Sequence, residues 1–413
     1  MKITVNKKEF QNALEIAAKV ASGTGRIREY DRVYIGVDSG KTNGIVVIGQ
    51  GSGGAIRIGL TAKAIETATL QAGELIGFCA KMFLDELKNY DTAEVGFGFS
   101  VSLIPLAREK DKVVYVGYVG RPAEENRYFS AAIIKNDFVF ENNKASFISI
   151  PADKLIDCLK CVLPFVQKPD AQFTDGYWAC GVSLSAESGV VTLKATDRHV
   201  LAHAEIQDDF GKHGDDFDVT LKPGALSVLV KSVVRKDDDG AVIIRPGAEN
   251  EPCIIQYRNY KLSVPKINQR YKYGKELVPT AWDYSIILPK SEFMDALKGF
   301  IKDCGKEYGA FFKLKTHADY IAFEDTKGLG FEYGVAGKKS YGKTGFEIGF
   351  NAPMLLSVLK AIQWSGGEVE FSIQLNKDKK YACAGALFSN PNDENEGVKA
   401  CWYVCETMLN AGE

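Results

Sequence analysis

The chain repeats one opening three times at domain length, and that repeat limits its possible folds more than any single motif does. A short strand, residues 3–5, runs into a helical pattern over residues 7–20 whose Phe10, Ala13, Leu14, Ala17 and Ala18 fall on one face. The opening returns in SFISIPADKLIDCLKCVL, residues 146–163, with Leu155, Ile156, Leu159, Val162 and Leu163 as the apolar stripe. It returns again in YSIILPKSEFMDALKGFI, residues 284–301, with Phe293, Ala296, Leu297, Phe300 and Ile301. Phe10, Leu155 and Phe293 stand 145 and 138 residues apart, so the 413-residue chain holds three domain-sized copies. Pro151 and Pro289 precede two of the helices, where a fixed φ suits a helix start and the missing N–H costs nothing.

Each copy contains a second strand-helix opening: AGELIGFCAKMFLDEL (72–87), FDVTLKPGALSVLVKSVV (217–234) and FEIGFNAPMLLSVLKAI (346–362). The last two share Leu-Ser-Val-Leu at 226–229 and 356–359, so each domain is itself a doubled unit. Alternating runs bounded by turn residues, such as YIGVDSGKTNGIVVIG (34–49), YWACGVSLSAESGVVTLKA (177–195) and YIAFEDTKGLGFEYGV (320–335), predict antiparallel meanders between the helices. The expected fold class is α+β, in three repeated domains, each a doubled strand-helix-strand unit. The polar segments ENNK and YKYGKELVP place the domains at residues 1–144, 145–281 and 282–413. The first copy carries extra, charged length around residues 105–126, read as a surface loop and strand.

Composition narrows the function classes. Hydrophobic residues at 46% and charged residues at 25% are enough to bury ordinary cores. Fifty-one Lys and Arg against 53 Asp and Glu, a net charge of -2, exclude a chain that coats nucleic acid with its whole surface, though a local basic face stays possible. Nine scattered cysteines and the start MKITVNKKEF, without an apolar leader, predict a cytoplasmic protein with reduced thiols. No apolar run reaches the roughly 18 residues of a membrane span, so no membrane partner is expected.

The densest polar constellation lies in residues 191–206, VTLKATDRHVLAHAEI, which reads as strand, turn, strand about Thr196-Asp197-Arg198-His199. A hydroxyl, a carboxylate, a guanidinium and an imidazole within four residues suit a catalytic or metal site, but a polar hairpin tip is the ordinary reading of such an isolated turn. His199 and His203 are expected on one strand face with Leu201 between them, and only four histidines exist. Gly49-Gln50-Gly51-Ser52-Gly53-Gly54 matches G-x-G-x-x-G, but the dinucleotide fingerprint needs a helix next and AIRIGL alternates like a strand, so the run reads as a hairpin tip. Cys158 and Cys161 fall on a helix without a second pair at zinc-ribbon spacing, and Cys401 and Cys405 lie in the last strand, so structural thiols are expected. No metal, cofactor or convincing reaction centre emerges. An enzyme using Asp197 and His199, and a repeat scaffold that binds only proteins, stay open as alternatives.

The helices carry a basic signal: Lys7, Lys8 and Lys19; Lys81 and Lys88; Lys154 and Lys160; Lys222, Lys231, Arg235 and Lys236; Lys290, Lys298, Lys302 and Lys306; Lys360. A solvated helix face accounts for such lysines. Six helices turning one polar face toward a polyanion would account for them too, through phosphate contacts that read no bases.

The three doubled copies, the opening MKITV, the phrase ATDRHVLA and the segment Ile348-Gly349-Phe350-Asn351 together resemble the bacterial sliding clamp, the beta subunit of DNA polymerase III. In that family T-D-G-H-R-L-A corresponds to Thr196, Asp197, His199, Leu201 and Ala202, and I-G-F-N starts the last helix. The resemblance spans essentially the whole chain. It implies a homodimeric head-to-tail ring with helices lining the hole and antiparallel sheets outside. Such a ring slides on double-stranded DNA without sequence preference, is placed by a clamp loader, tethers the replicative DNA polymerase, and needs neither cofactor nor catalysis. It implies DNA-facing roles for Arg26, Arg28, Lys81, Lys154, Lys222, Lys231, Arg235, Lys298 and Lys302. A peptide-binding pocket is implied at Thr196, Arg198, His199, Val200, Leu201, Val404, Met408 and Leu409, and a dimer interface at Phe300 and Ile301. Three departures touch the pocket: Arg198 stands at the family's Gly, Val200 at its Arg, and the ending M-P-M-R-L is replaced by CETML and four further residues. The pocket is therefore expected to prefer different peptides, with Arg198 filling part of it or adding a charge.

Overall fold

The computed structural model describes residues 2–22, 32–38, 40–66, 74–88, 93–104, 112–119, 128–135, 137–142, 146–207, 211–234, 239–273, 281–304, 311–326, 328, 330–345, 347–362, 367–375, 383–391 and 398–405. All six strand-helix openings are present. Lys2–Asn6 leads into α1 (Lys7–Ser22), Glu74–Cys79 into α2 (Ala80–Leu87) and Phe147–Pro151 into α3 (Ala152–Val162). Phe217–Leu221 precedes α4 (Pro223–Val228), Tyr284–Pro289 leads into α5 (Lys290–Cys304), and Glu347–Asn351 into α6 (Ala352–Ala361). The chain divides into two compact units, residues 1–153 with 211–215 and 221–266, and residues 154–210 with 216–220 and 267–413.

The first unit is built on a fourteen-stranded sheet running from Gly211–His213 at one edge to Ala64–Glu66 at the other. Helix α1 lays Phe10, Ala13, Leu14, Ala17 and Ala18 into the core, the face its periodicity predicts. Phe10 stacks on Phe97 at 4.6 Å and meets Phe83 of α2 edge-on at 5.7 Å. Burying one such ring is worth roughly 1.5–3 kcal/mol, and three in contact anchor both helices to the sheet. The glycine-rich run is a hairpin tip between Gly44–Gly51 and Gly54–Thr61, with Gly51 opposite Gly54. Its glycines let backbone approach backbone: a Cβ at Gly51 would lie 2.5 Å from the Val20 carbonyl oxygen, and one at Gly53 would lie 2.8 Å from the Gly224 Cα. The Ala225 N–H donates to the Gly53 carbonyl at 3.2 Å, so the tip holds the start of α4 and no helix follows it. Helix α4 continues as a π-turn, Leu229–Val233, which the 3.6-residue pattern does not reveal.

The second unit carries a nine-stranded and a four-stranded sheet. The nine-stranded one runs from Phe217–Leu221 to Ser340–Gly342, and the four-stranded one packs Glu332–Ala336, Tyr320–Asp325, Phe311–Thr316 and Glu347–Asn351 side by side. Phe293, Leu297 and Phe300 of α5 are buried, as are Leu355, Val358 and Leu359 of α6. The Asn351 carboxamide oxygen caps α6 by accepting the Met354 N–H at 3.0 Å.

Strand pairing ignores the boundaries between the repeats. Tyr260–Val264 of the second repeat pairs with Gly54–Thr61 of the first, Leu262 opposite Ile56. Val200–Gln207 of the second pairs with Val398–Cys405 of the third, Ala202 opposite Trp402. The second repeat thus gives one sheet to each neighbour.

Candidate functional site

Among the described residues every helix closes on a lysine. Lys19, Lys160, Lys302 and Lys360 occupy the last turns of α1, α3, α5 and α6, Lys231 the π-turn after α4, and Lys88 is the C-cap of α2. The opening helices α1, α3 and α5 also carry an acid in the first turn, Glu9, Asp153 and Glu292, whereas α2, α4 and α6 carry none. Both placements complement the helix dipole, worth about 0.3–1 kcal/mol per charge, so local stability alone favours them. The lysines also differ in commitment. Asp-x-x-Lys pairs recur in three helices: Lys88 with Asp85 at 2.8 Å, Lys160 with Asp157 at 3.3 Å, and Lys298 with Asp295 at 2.7 Å. The Lys88 hydrogen bond holds the Asp85 carboxyl below its ordinary range. Lys19 donates to the Ser232 hydroxyl at 3.3 Å.

Of the residues expected to face DNA, Lys231, Lys298 and Lys302 are exposed, and Lys81, Lys154 and Lys222 are half-buried. Lys222 is the N-cap residue of α4 and Lys298 is already paired with an acid. Arg26, Arg28 and Arg235 lie outside the described residues. Ammonium groups spaced along helices act on phosphate as point charges and carry no means of reading a base edge.

The hairpin forms as its pattern predicts, Val190–Thr196 and Val200–Gln207 joined by a turn. The turn is closed by its own polar side chains: Thr196 Oγ1 accepts the Arg198 N–H at 2.9 Å, and Asp197 Oδ1 accepts from His199 N at 3.0 Å and Val200 N at 2.8 Å. Asp197 therefore organises backbone and makes no such bond to an imidazole. Arg198 takes φ +77°, a left-handed conformation better suited to glycine, and its guanidinium sits 4.5 Å over the Phe173 ring.

Two expectations for this hairpin are corrected. His199 sits exposed in the turn, whereas His203 is buried and bonded through Nε2 to Glu205 Oε1 at 2.8 Å, so the two imidazoles do not share a face. Thr196, Val200, Leu201 and Val404 are at most 2% exposed, because Val200 and Val404 face each other across the seam and point into the core. They support the turn from beneath, and among the described residues of the expected pocket only Arg198 and His199 are exposed. Met408 and Leu409 lie outside the described residues. Phe300 is corrected as well: it is fully buried and meets Phe312 at 5.6 Å and Phe323 at 6.0 Å, so it belongs to the core of its own chain. Ile301 is half-buried.

An aromatic cluster beside the turn was not expected. Phe173 packs on Tyr177 at 4.7 Å, and Tyr177 on Trp178 at 5.2 Å. The Trp178 indole meets Tyr271 and Tyr273 edge-on at 5.0 and 4.8 Å. Burial pushes the Tyr271 hydroxyl well above its ordinary range, with Tyr273 and Asp197 adding to the rise. The run RYKY at 270–273 reads as part of a polar linker, yet Tyr271 is buried. Three aromatics within FTDGYW, residues 173–178, were the available signal.

Doubled strand-helix units joined edge to edge by antiparallel sheets place the chain in the class of DNA-clamp folds. Bacterial clamps are among its neighbours in that class. The structure superposes on the DnaN sliding clamp of Pseudomonas aeruginosa bound to griselimycin with a TM-score of 0.75 at 16% identity, over 99% of this chain and 100% of that one. The Bacillus subtilis DNA polymerase sliding clamp gives 0.75 at 17%, over 99% of each chain. The Helicobacter pylori beta clamp bound to a DNA ligase peptide gives 0.72 at 14%, over 99% and 100%. No family model and no curated protein matches the sequence, so the likeness is one of fold, carried end to end.

Proposed function

We propose that this protein is a DNA sliding clamp: a non-catalytic processivity ring that encircles duplex DNA and holds the replicative polymerase and other partners by short peptides. The observation that carries this reading is the clamp fold over 99% of the chain, with none of its three repeats missing. Two chains close head to tail through their end domains, with Ile301 near the junction, and the repeats at 1–144, 145–281 and 282–413 are the three arcs of each half. The lysine-tipped helices line the hole, and a clamp loader opens the ring around DNA. Charge without base readout is what sliding requires, since a base-specific contact would stall the ring. The turn Arg198-His199 and the aromatic cluster beside it are the partner site, in keeping with the peptide carried by the Helicobacter clamp.

The test is topological. Protein loaded on a nicked circular duplex should co-elute with the circle at about 0.5 M salt, where non-specific phosphate contacts are largely lost. Cutting the circle once should release it. Equal retention on circle and line would replace encirclement by surface binding, and no retention would leave a protein-binding scaffold.

A further inference from the structure

We propose that Trp178 and Tyr271 form a hydrogen-bonding subsite for an acceptor oxygen, carboxylate or carbonyl, of a partner's peptide, with Phe173 and Arg198 as its rim. The inference deepens the partner-site reading and rests on it. Its basis is two buried donors without acceptors. The Trp178 indole N–H and the Tyr271 hydroxyl are both more than nine-tenths buried and neither has a hydrogen-bond partner. Buried donors are almost always paired, and among the described residues the other fully buried indole follows the rule: Trp402 Nε1 donates to the Cys161 carbonyl at 3.1 Å.

The two orphans belong to rings in edge contact at 5.0 Å, so their donors are held by one packed cluster. The surroundings fit a peptide. Residues 171–176 are mostly exposed, and Phe173 of this segment lies under the Arg198 guanidinium. Two of the nearby carboxylates are spent on backbone: Asp170 Oδ1 accepts from Gln172 N and Phe173 N, and Asp197 Oδ1 accepts within the turn. Arg198 is exposed beside the cluster, as are Arg270 and Lys272 on either side of Tyr271, and an apolar group carrying an oxygen acceptor complements aromatic rings that hold two unpaired donors.

The test follows indole protons. With tryptophan labelled by nitrogen-15, the four indole N–H signals are recorded while N-acetyl-leucine or N-acetyl-leucinamide is added, and Trp178→Phe identifies the signal of interest. The Trp178 proton should move downfield at millimolar probe while the other three stay. A response to the acid alone assigns a carboxylate acceptor, and a response to both assigns a carbonyl. Tyr271→Phe should weaken the response about tenfold and raise Tm by about 2–4 °C, since it removes an unpaired buried hydroxyl. No movement with either probe at tens of millimolar, or a Tyr271→Phe protein that melts lower, overturns the subsite. Topological retention without a Trp178 response removes the subsite and leaves the ring; a response without retention does the reverse.

Discussion

At the scale of single residues, the glycines of the 49–54 run show how a correct local reading can miss its physical cause. Their alternating neighbours identify a hairpin tip, and the strands Gly44–Gly51 and Gly54–Thr61 form accordingly. What requires glycine there is the backbone of α1 and the start of α4, distant in sequence and therefore absent from any local pattern. A Cβ at Gly49 would fall inside the van der Waals shell of the Ala17 carbonyl group. Gly49→Ala should therefore destabilise the protein by about 3 kcal/mol or more, because helix and strand must part along their contact. Gly176→Ala, where a Cβ meets nothing within 4 Å, should stay within about 0.5 kcal/mol. Chemical denaturation of both variants decides it: equal stabilities would mean the approach is not constraining. Thiols obey the same local-versus-tertiary split. Burial pushes the Cys253 thiol up to about 12 and the Cys158 thiol well above its ordinary range, so neither offers a thiolate near neutrality. Iodoacetamide at pH 8 should label Cys158 and Cys253 only after unfolding, and rapid labelling in the native state would contradict the packing of α3.

At the scale of elements, helix faces were legible because one side of a helix meets the core every three or four residues. Phe10, Ala13, Leu14 and Ala17 are buried as read. The same periodicity marks Phe300 as part of the apolar stripe of its helix, and the core is where it lies, while the interface role implied by the resemblance rests on position along the chain alone. The aromatic cluster was illegible for a different reason: the Trp178 backbone N–H donates to Gln269 Oε1 at 3.2 Å across 91 residues, and only the fold brings those segments together. The lysines were visible, but their Asp-x-x-Lys partners set how much charge a phosphate can claim. A surface pair is worth only about 0.2–1 kcal/mol, so DNA can break it at a small cost. Removing the acids in Asp85→Asn, Asp157→Asn and Asp295→Asn combined should tighten duplex binding at low salt. Lys231→Gln and Lys302→Gln should each lower the slope of log K against log salt by about 1 if each meets one phosphate. Fluorescence anisotropy on a short duplex measures both, and unchanged slopes would take these lysines off the DNA.

At the scale of the whole molecule, sequence repeats and folding units need not coincide, and here the strand seams separate them. Three repeats were legible as periods of 145 and 138 residues, yet the compact units number two and cut through the second repeat. The reason lies in Val200–Gln207, where the first seven of eight residues are buried and whose outer hydrogen bonds go to Val398–Cys405. Without the third repeat that strand becomes an apolar edge with unpaired N–H and C=O groups, a template for pairing with other chains. A chain ending at residue 281 removes Val398–Cys405 and the Trp402 side chain that covers Cys161. It should self-associate or precipitate rather than behave as a two-domain fragment, although every residue of the first two repeats is retained. Light scattering of the truncated chain at micromolar concentration reads the outcome. A soluble monomer with native-like β-sheet circular dichroism would mean that the second repeat closes its own sheet, and that the seam with the third is an accessory contact rather than the joint through which the chain becomes one molecule.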